Sequence, residues 1–108
     1  MGPKKESSVK PPVYSLVDFK VRNEKLGYAR RRMRKAEQFA RSKPGVLQFH
    51  FLQDHEDPTV FTGYGIFASN NDLDSYRASM QEMSENDSEF NDMLDPKLPM
   101  SVRVLDRI

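Results

Sequence analysis

Residues 44–79, with the sequence PGVLQFHFLQDHEDPTVFTGYGIFASNNDLDSYRAS, constrain the fold of this 108-residue chain more than any other stretch. Turn-forming residues divide it at Pro44-Gly45, at Asp57-Pro58 and at residues 69–72. Two runs rich in aromatic and β-branched residues lie between these turns, which favours strands over loops. The stretch therefore predicts a strand, a short connection, a second strand and a capped helix.

Apolar periodicity extends this prediction to the whole chain. It predicts four strands, over residues 13–21, 46–53, 59–67 and 100–105. It also predicts a helix over 24–41 and a second helix that begins at Ser69 or Asn70, while residues 86–98 are ambiguous and fit one short helical turn. The resulting order is βαββαβ, which is typical of an α+β, ferredoxin-like fold. Such a fold has an antiparallel four-stranded sheet with helices on one face.

Both faces of the predicted sheet are largely apolar, although helices can cover only one of them. On the strand 46–53, Leu47, Phe49 and Phe51 alternate with a second set that includes Val46 and Leu52. The simplest cover for the remaining face is a second copy of the sheet. We therefore expect a homodimer that packs sheet on sheet, a dimeric α/β barrel.

Composition narrows the class of protein. The polar, proline-containing residues 1–12 suggest a flexible tail before one domain at 13–108. No Cys is present, so disulfides, thiolate catalysis and Cys-type zinc sites are excluded. No export signal or membrane-spanning run is evident, so we expect a cytoplasmic location without membrane contact.

Charge is distributed unevenly along the chain. Residues 20–43 hold ten Lys or Arg and two acids, whereas residues 54–95 hold eleven acids and one base, Arg77. This asymmetry favours self-association or an anionic ligand. The basic run 30–35 has no aromatic platform beside it, which disfavours nucleic acid as a partner.

In the order and spacing of several short segments, the sequence resembles the antibiotic-biosynthesis-monooxygenase-like (ABM) domain of the dimeric α/β-barrel superfamily. The segments are FKV at 19–21, PGVLQF at 44–49, DHEDP at 54–58, FASNNDLDSYRAS at 67–79 and EFNDML at 89–94. The resemblance implies a pocket between sheet and helices, and an enzyme that oxidises a small aromatic, quinol or polyketide-type molecule without a cofactor or metal. A cyclase or isomerase on the same scaffold and a non-catalytic dimeric binding or assembly module are the alternatives.

Some polar markers of related families are absent from this sequence. The haem-degrading branch uses an Asn on the first strand, where Asp18 stands here, together with a Trp and a late His that this chain lacks. Many monooxygenase-like members carry a Glu-Trp pair and a helical His, where Ile66-Phe67 and Tyr76 stand here. Haem degradation by that arrangement is therefore disfavoured.

Three residues are candidates for catalysis. His50 could act as a general base, or it could be a structural histidine satisfied by a neighbour. Arg32, on the flank of the first helix's apolar stripe, could stabilise an anion or only cover apolar surface with its stem. Asp18 could pair with Arg32, or act as a base with a raised pKa.

Four aromatic residues are candidates for substrate binding: Tyr28, Tyr64, Phe67 and Tyr76. Their alternative role is packing, with each tyrosine hydroxyl satisfied by one partner. Gly63 and Gly65 flank Tyr64 and remove side chains from one face of their strand. They could leave room for a ligand or allow another backbone to approach closely.

Overall fold

The computed structural model describes residues 11–108. Its main elements are, in chain order, β1 (Val13–Lys20), α1 (Leu26–Arg41), β2 (Val46–Gln53), β3 (Val60–Phe67), α2 (Asn70–Glu85), α3 (Ser88–Met93) and β4 (Ser101–Asp106). A short 3-10 helix, Asn23–Lys25, leads into α1, so the predicted helix start at residue 24 falls within it. The predicted α+β ferredoxin-like order is confirmed, and the ambiguous stretch 86–98 contains the short helix α3. Of the predicted tail, residues 1–10 lie outside the described residues.

The four strands form one antiparallel sheet in the order β2-β3-β1-β4. Side chains alternate between the two faces of a strand, so the strand pairings assign every residue to a face. Val17 lies opposite Gly63 on β3 and Val102 on β4, and all three are on the side covered by helices. The other side is called the helix-free face; it carries Tyr14, Leu16, Asp18, Lys20, Gln48, His50, Leu52, Val60, Thr62, Tyr64, Ile66, Ser101, Arg103 and Leu105.

The core beneath the helices consists of two separate clusters. One joins the C-terminal end of α1 to α2 and contains Val13, Ala40, Phe49, Phe67, Leu73 and Tyr76. The other lies under the N-terminal half of α1 and contains Phe19, Val21, Ala29, Met33, Phe61 and Met93. Phe51 packs against both clusters and is their only bridge among these buried and half-buried side chains of residues 11–108.

The turn between α1 and β2 is coupled to the start of α2. Gly45 has a φ of 81°, in the left-handed region that residues with a Cβ avoid. Its carbonyl accepts a 2.8 Å hydrogen bond from the Ala68 N–H, and a Cβ at this position would collide with the Asp72 carboxylate. Ser69 caps α2 by accepting a hydrogen bond from the Asp72 N–H. Two of the predicted turns are therefore packed against each other.

The two edge strands differ in their surroundings. On β2, the Phe49 carbonyl accepts a 3.1 Å hydrogen bond from Arg41 Nε, and the Phe51 N–H donates a 2.7 Å bond to Glu37 Oε2. Every residue of β4 is exposed, including Val102 and Val104. Over residues 11–108, the helices lack the length and hydropathy that crossing a bilayer requires.

Candidate active site

A cavity of about 580 Å³ separates the two core clusters and is bounded by the sheet and all three helices. This volume falls within the range of small-molecule sites, roughly 300–1,000 Å³. Its aromatic wall consists of Phe19, Phe39, Phe49, Phe51, Tyr76 and Phe90. The Phe49 ring centroid lies 5.2 Å from that of Phe51 and 5.4 Å from that of Tyr76, so these rings form one continuous surface.

Methionine supplies much of the remaining wall. Five of the six methionines in the chain line the cavity: Met33, Met80, Met83, Met93 and Met100. Thioether side chains are unbranched and polarisable, so they adapt to irregular apolar shapes. The cavity therefore combines a flat aromatic surface with a deformable one.

The charged groups at the cavity are all cationic. Arg32, Lys35 and Arg77 line it, and among residues 11–108 no carboxylate or imidazole does. Arg32 is half-buried, pairs with the Asp87 carboxylate and lies over the Phe90 ring, 5.6 Å from its centroid. Lys35 and Arg77 are exposed, and neither forms an ion pair within the described part of the chain. Two uncompensated cations therefore stand at the opening.

Three of the residues that line the cavity carry a hydroxyl group. The Ser84 hydroxyl donates a 3.0 Å hydrogen bond to the Gln81 carbonyl, which leaves the hydroxyls of Tyr76 and Ser15. Burial raises the pKa of Tyr76 well above its ordinary value, so the phenol stays protonated and can donate a hydrogen bond. The Tyr76 hydroxyl forms no hydrogen bond to any other residue within 11–108. Ser15 is buried at 6% exposure on β1, between residues that face the helices. Both hydroxyls are available to an oxygen atom of a ligand.

Three of the residues predicted for the site lie elsewhere. Asp18, His50 and Tyr64 are on the helix-free face, so the sheet separates them from Arg32 and Tyr76. Within a single chain these three residues therefore do not border a cavity shared with Arg32, and their catalytic and binding roles stay predictions. Sequence alternation placed Asp18 and His50 on definite faces, but it did not say which face the helices cover.

Each of these three residues has a defined neighbour in the structure, and the predicted pairing of Asp18 with Arg32 does not form. Asp18 accepts a 2.5 Å hydrogen bond from the Thr62 hydroxyl and does not pair with Arg32, whose carboxylate partner is Asp87. His50 Nδ1 lies 3.2 Å from a terminal nitrogen of Arg41, which reaches around the edge of β2. Tyr64 is the cross-strand neighbour of His50.

The other two predicted aromatic residues lie behind the cavity wall. Phe67 is fully buried against Tyr76, with ring centroids 5.3 Å apart. Tyr28 packs at the margin of the cluster around Phe19 and does not line the cavity. Of the seven predicted site residues, the structure brings Arg32 and Tyr76 together at one site.

Gly63 and Gly65 make room for the protein's own rings. An added Cβ at Gly65 would lie 2.7 Å from the Phe67 ring and 3.0 Å from the Phe49 ring. At Gly63 the nearest atom would be in the Phe51 ring, 3.1 Å away. The two glycines therefore let the aromatic floor of the cavity lie directly on β3, with Gly63 itself part of the lining.

Sequence reasoning did not select Lys35, Ser15 or the methionines as site residues. Ser15 had one available signal, a small polar residue between Val13 and Val17 on the apolar face of a strand. The methionines carried a second signal, since the five that line the cavity recur on four separate segments of a chain that has only six. Lys35 had none, because it belongs to a run of six residues that are nearly all cationic.

Comparison with protein families matches residues 12–85 to the model described as antibiotic biosynthesis monooxygenase, ABM. The matched range is more than half of the chain. Comparison with curated proteins found no match.

Solved structures show the same fold at low sequence identity. A Pseudomonas aeruginosa protein is similar with a TM-score of 0.78 at 15% identity, covering 93% of this chain and 97% of that one. A Nitrosomonas europaea protein described as a candidate antibiotic biosynthesis monooxygenase has a TM-score of 0.78 at 18% identity, with 90% of both chains covered. A Mycobacterium tuberculosis protein has a TM-score of 0.74 at 18% identity, covering 90% and 95%.

Proposed function

Because the chain belongs to the antibiotic biosynthesis monooxygenase family, we propose that it oxygenates a small aromatic quinol or polyketide-type phenol in this cavity. The observation that carries the proposal is the cavity wall itself. It offers an aromatic surface for a ring system, a protonated Tyr76 hydroxyl and nearby cations. These groups bind a phenolate or enolate better than the neutral molecule, because each stabilises negative charge.

Proton removal then takes a different route from the one expected from sequence. His50 and Asp18 cannot reach a ligand in the cavity of the same chain, and no other carboxylate or imidazole of residues 11–108 lines it. In this proposal Arg32, Lys35 and Arg77 lower the pKa of the bound phenol. The proton leaves to water through the opening, where Lys35 and Arg77 are exposed.

The proposed reaction balances with dioxygen as the only co-reactant. An activated methylene group beside the ring becomes a carbonyl group: CH₂ + O₂ → C=O + H₂O. One oxygen atom enters the substrate and the other leaves as water, and the substrate supplies all of the electrons. Because the substrate anion itself reduces oxygen, the proposed chemistry needs no flavin or metal.

This assignment is favoured over a cyclase or isomerase on the same scaffold. Those reactions move a proton between carbon and oxygen and need a positioned base at the site. The cavity wall, over the described residues, offers cations and hydroxyls instead. A non-catalytic binding module would show ligand binding without oxygen consumption.

Oxygen uptake with a panel of naphthols, quinols and anthrones tests the proposal. We expect uptake with at least one of them, at one O₂ consumed per product. Tyr76→Phe should lower kcat about 10²-fold, the usual effect of losing one donor to a developing oxyanion. Tyr28→Phe is the matched control, because Tyr28 lies outside the cavity, and it should retain the wild-type rate.

Two results would contradict the proposal. One is the absence of oxygen uptake by the wild-type protein with every compound of the panel. The other is equal turnover by Tyr76→Phe and Tyr28→Phe, which would remove the cavity hydroxyl from the reaction.

We also propose that two copies pack through the helix-free face. Leu52 is 53% exposed there and Leu105 is 39% exposed, while Tyr14, Leu16 and Ile66 are only half-buried. Joining two such faces would remove this apolar surface from water. Asp18, His50 and Tyr64 would then lie within the interface rather than at the ligand.

A further inference from the structure

We propose that the cavity selects ligands that carry a carboxylate group, held at the opening by Lys35 and Arg77, with the apolar body of the ligand among the methionines. The proposal deepens the proposed function, on which it rests for the location of the ligand. It gives Lys35 and Arg77 a second role, direct binding of a carboxylate, in addition to the effect of their positive charge on the bound phenol.

The first support is the sign of the charges around the cavity. Acidic residues are abundant in the second half of the chain, where eleven lie between residues 54 and 95. Helices α2 and α3, which form two walls of the cavity, belong to that half. Yet none of these carboxylates lines the cavity. Arg77 is the single Lys or Arg of the same stretch, and it does line the cavity. The local potential at the opening is therefore positive within an acidic half of the protein.

The second support is the state of pairing of the three cations. Arg32 is already neutralised by Asp87, so a ligand gains less from it. Lys35 and Arg77 form no ion pair within residues 11–108, and Asp74, three residues before Arg77 on α2, is not in contact with it. They belong to different helices, α1 and α2, and both line the cavity. A carboxylate has two oxygens and can accept hydrogen bonds from both.

The third support is the match between the wall and the rest of such a ligand. Most of the remaining lining residues carry aromatic rings or thioethers, including Met33, Met80 and Met93. Such a wall accepts apolar bodies of different shapes but contributes little discrimination among them. The cations at the opening therefore decide which ligands bind, because a carboxylate is not stable in a cavity of this kind unless a cation pairs with it.

Isothermal titration calorimetry with a matched pair of probes tests the inference. The probes are 6-hydroxy-2-naphthoate and its methyl ester, which share the same ring but differ in charge. Wild-type protein should bind the carboxylate at least tenfold more tightly than the ester. Lys35→Gln and Arg77→Gln should each weaken carboxylate binding roughly tenfold, the value of one charge-assisted hydrogen bond, and should change ester binding less than twofold.

Arg34→Gln is the matched control, because Arg34 is an exposed cation beside Lys35 on α1 that does not line the cavity. It should leave the affinity for both probes unchanged. The inference is overturned if the two probes bind equally, if neither binds, or if Arg34→Gln weakens carboxylate binding as much as Lys35→Gln does.

The outcomes for this inference and for the proposed function are distinguishable. Carboxylate-selective binding that depends on Lys35 and Arg77, without oxygen uptake from any compound, supports the inference and contradicts the oxygenase. Uptake from neutral naphthols combined with equal binding of the two probes supports the oxygenase and overturns the inference.

Discussion

The two glycines of β3 allow a direct test of how the aromatic floor is packed. Replacing Gly65 by Ala places a Cβ 2.7 Å from Phe67 Cε1 and 3.0 Å from Phe49 Cδ2. Phe67 makes the closer of the two contacts, is fully buried and does not border the cavity, so its ring has no free space into which to move. Overpacking of this kind typically costs about 1–3 kcal/mol of unfolding free energy.

Gly63→Ala is the matched comparison on the same strand face. Its Cβ would lie 3.1 Å from Phe51 Cε1, but Phe51 is only half-buried and borders the cavity, into which its ring can shift. Any glycine-to-alanine change also restricts the unfolded chain, which stabilises the fold by about 0.4–1 kcal/mol. We therefore expect the unfolding free energy of Gly63→Ala to be within about 1 kcal/mol of the wild-type value, because the crowding of Phe51 and the restriction of the unfolded chain oppose each other.

Urea unfolding followed by circular dichroism measures the difference, since the chain has no Trp for fluorescence. Gly65→Ala should be less stable than Gly63→Ala by about 1–2 kcal/mol, a difference of roughly 4–16 °C in Tm for a domain of this size. Protein concentration must be equal in all samples, because association would raise the apparent stability. Equal stability of the two variants, or a more stable Gly65→Ala, would refute the packing described for the aromatic floor.

Two further predictions concern the opposite side of the sheet. Hydrogen bonds from the Thr59 hydroxyl and N–H, together with Lys20, lower the pKa of Asp57 from 3.8 to about 2. A lowered pKa stabilises the fold at pH values above the pKa of the unfolded chain, and this effect is lost as pH falls through the folded pKa. Asp57→Asn should therefore lower Tm most above pH 5, and the difference should shrink steadily as pH falls towards 2. A difference that stays constant between pH 2 and 6, measured by thermal melts, would contradict this account. In sedimentation velocity, Leu52→Glu should convert the expected dimer to a monomer, because it places a charge on the helix-free face. The loop variant His55→Glu is the control and should leave the dimer intact. An unchanged dimer in Leu52→Glu would exclude the helix-free face as the interface.

The fold could be predicted from this sequence because its periodic patterns are local. Alternation over 46–53 and 59–67, the Pro44-Gly45 turn and the cap at Ser69 each specify structure within a few residues. The predicted ends of the elements differ from the observed ends by one or two residues. One example is the start of α1, where a short 3-10 helix precedes the α-helix. The short helix α3 lacked enough residues to show a period, so its stretch remained ambiguous.

The site could be predicted only in part, because it depends on which face of the sheet the helices cover. Period-two alternation separates Asp18 from Val17, but both faces of β1 carry apolar residues, so hydrophobicity could not identify the covered face. Arg32 and Tyr76 could be placed on the covered side of the sheet because Arg32 flanks the apolar stripe of its helix and Tyr76 belongs to that of its own. The pairing of Arg32 with Asp87 depends on the packing of α3 against α1, for which no local pattern exists.

The unequal edges of the sheet also limit how copies of this chain can polymerise. On β2, Arg41 and Glu37 already occupy two of the backbone groups that an incoming strand would need. β4 pairs only with β1 among residues 11–108, which leaves its outer edge without a backbone partner there. Addition of a β4 edge to a β2 edge, the head-to-tail contact that builds open-ended fibres, is therefore obstructed. Within residues 11–108 the β4 edge remains open to strand addition, and a twofold contact between two β4 edges uses both open edges and ends at a pair.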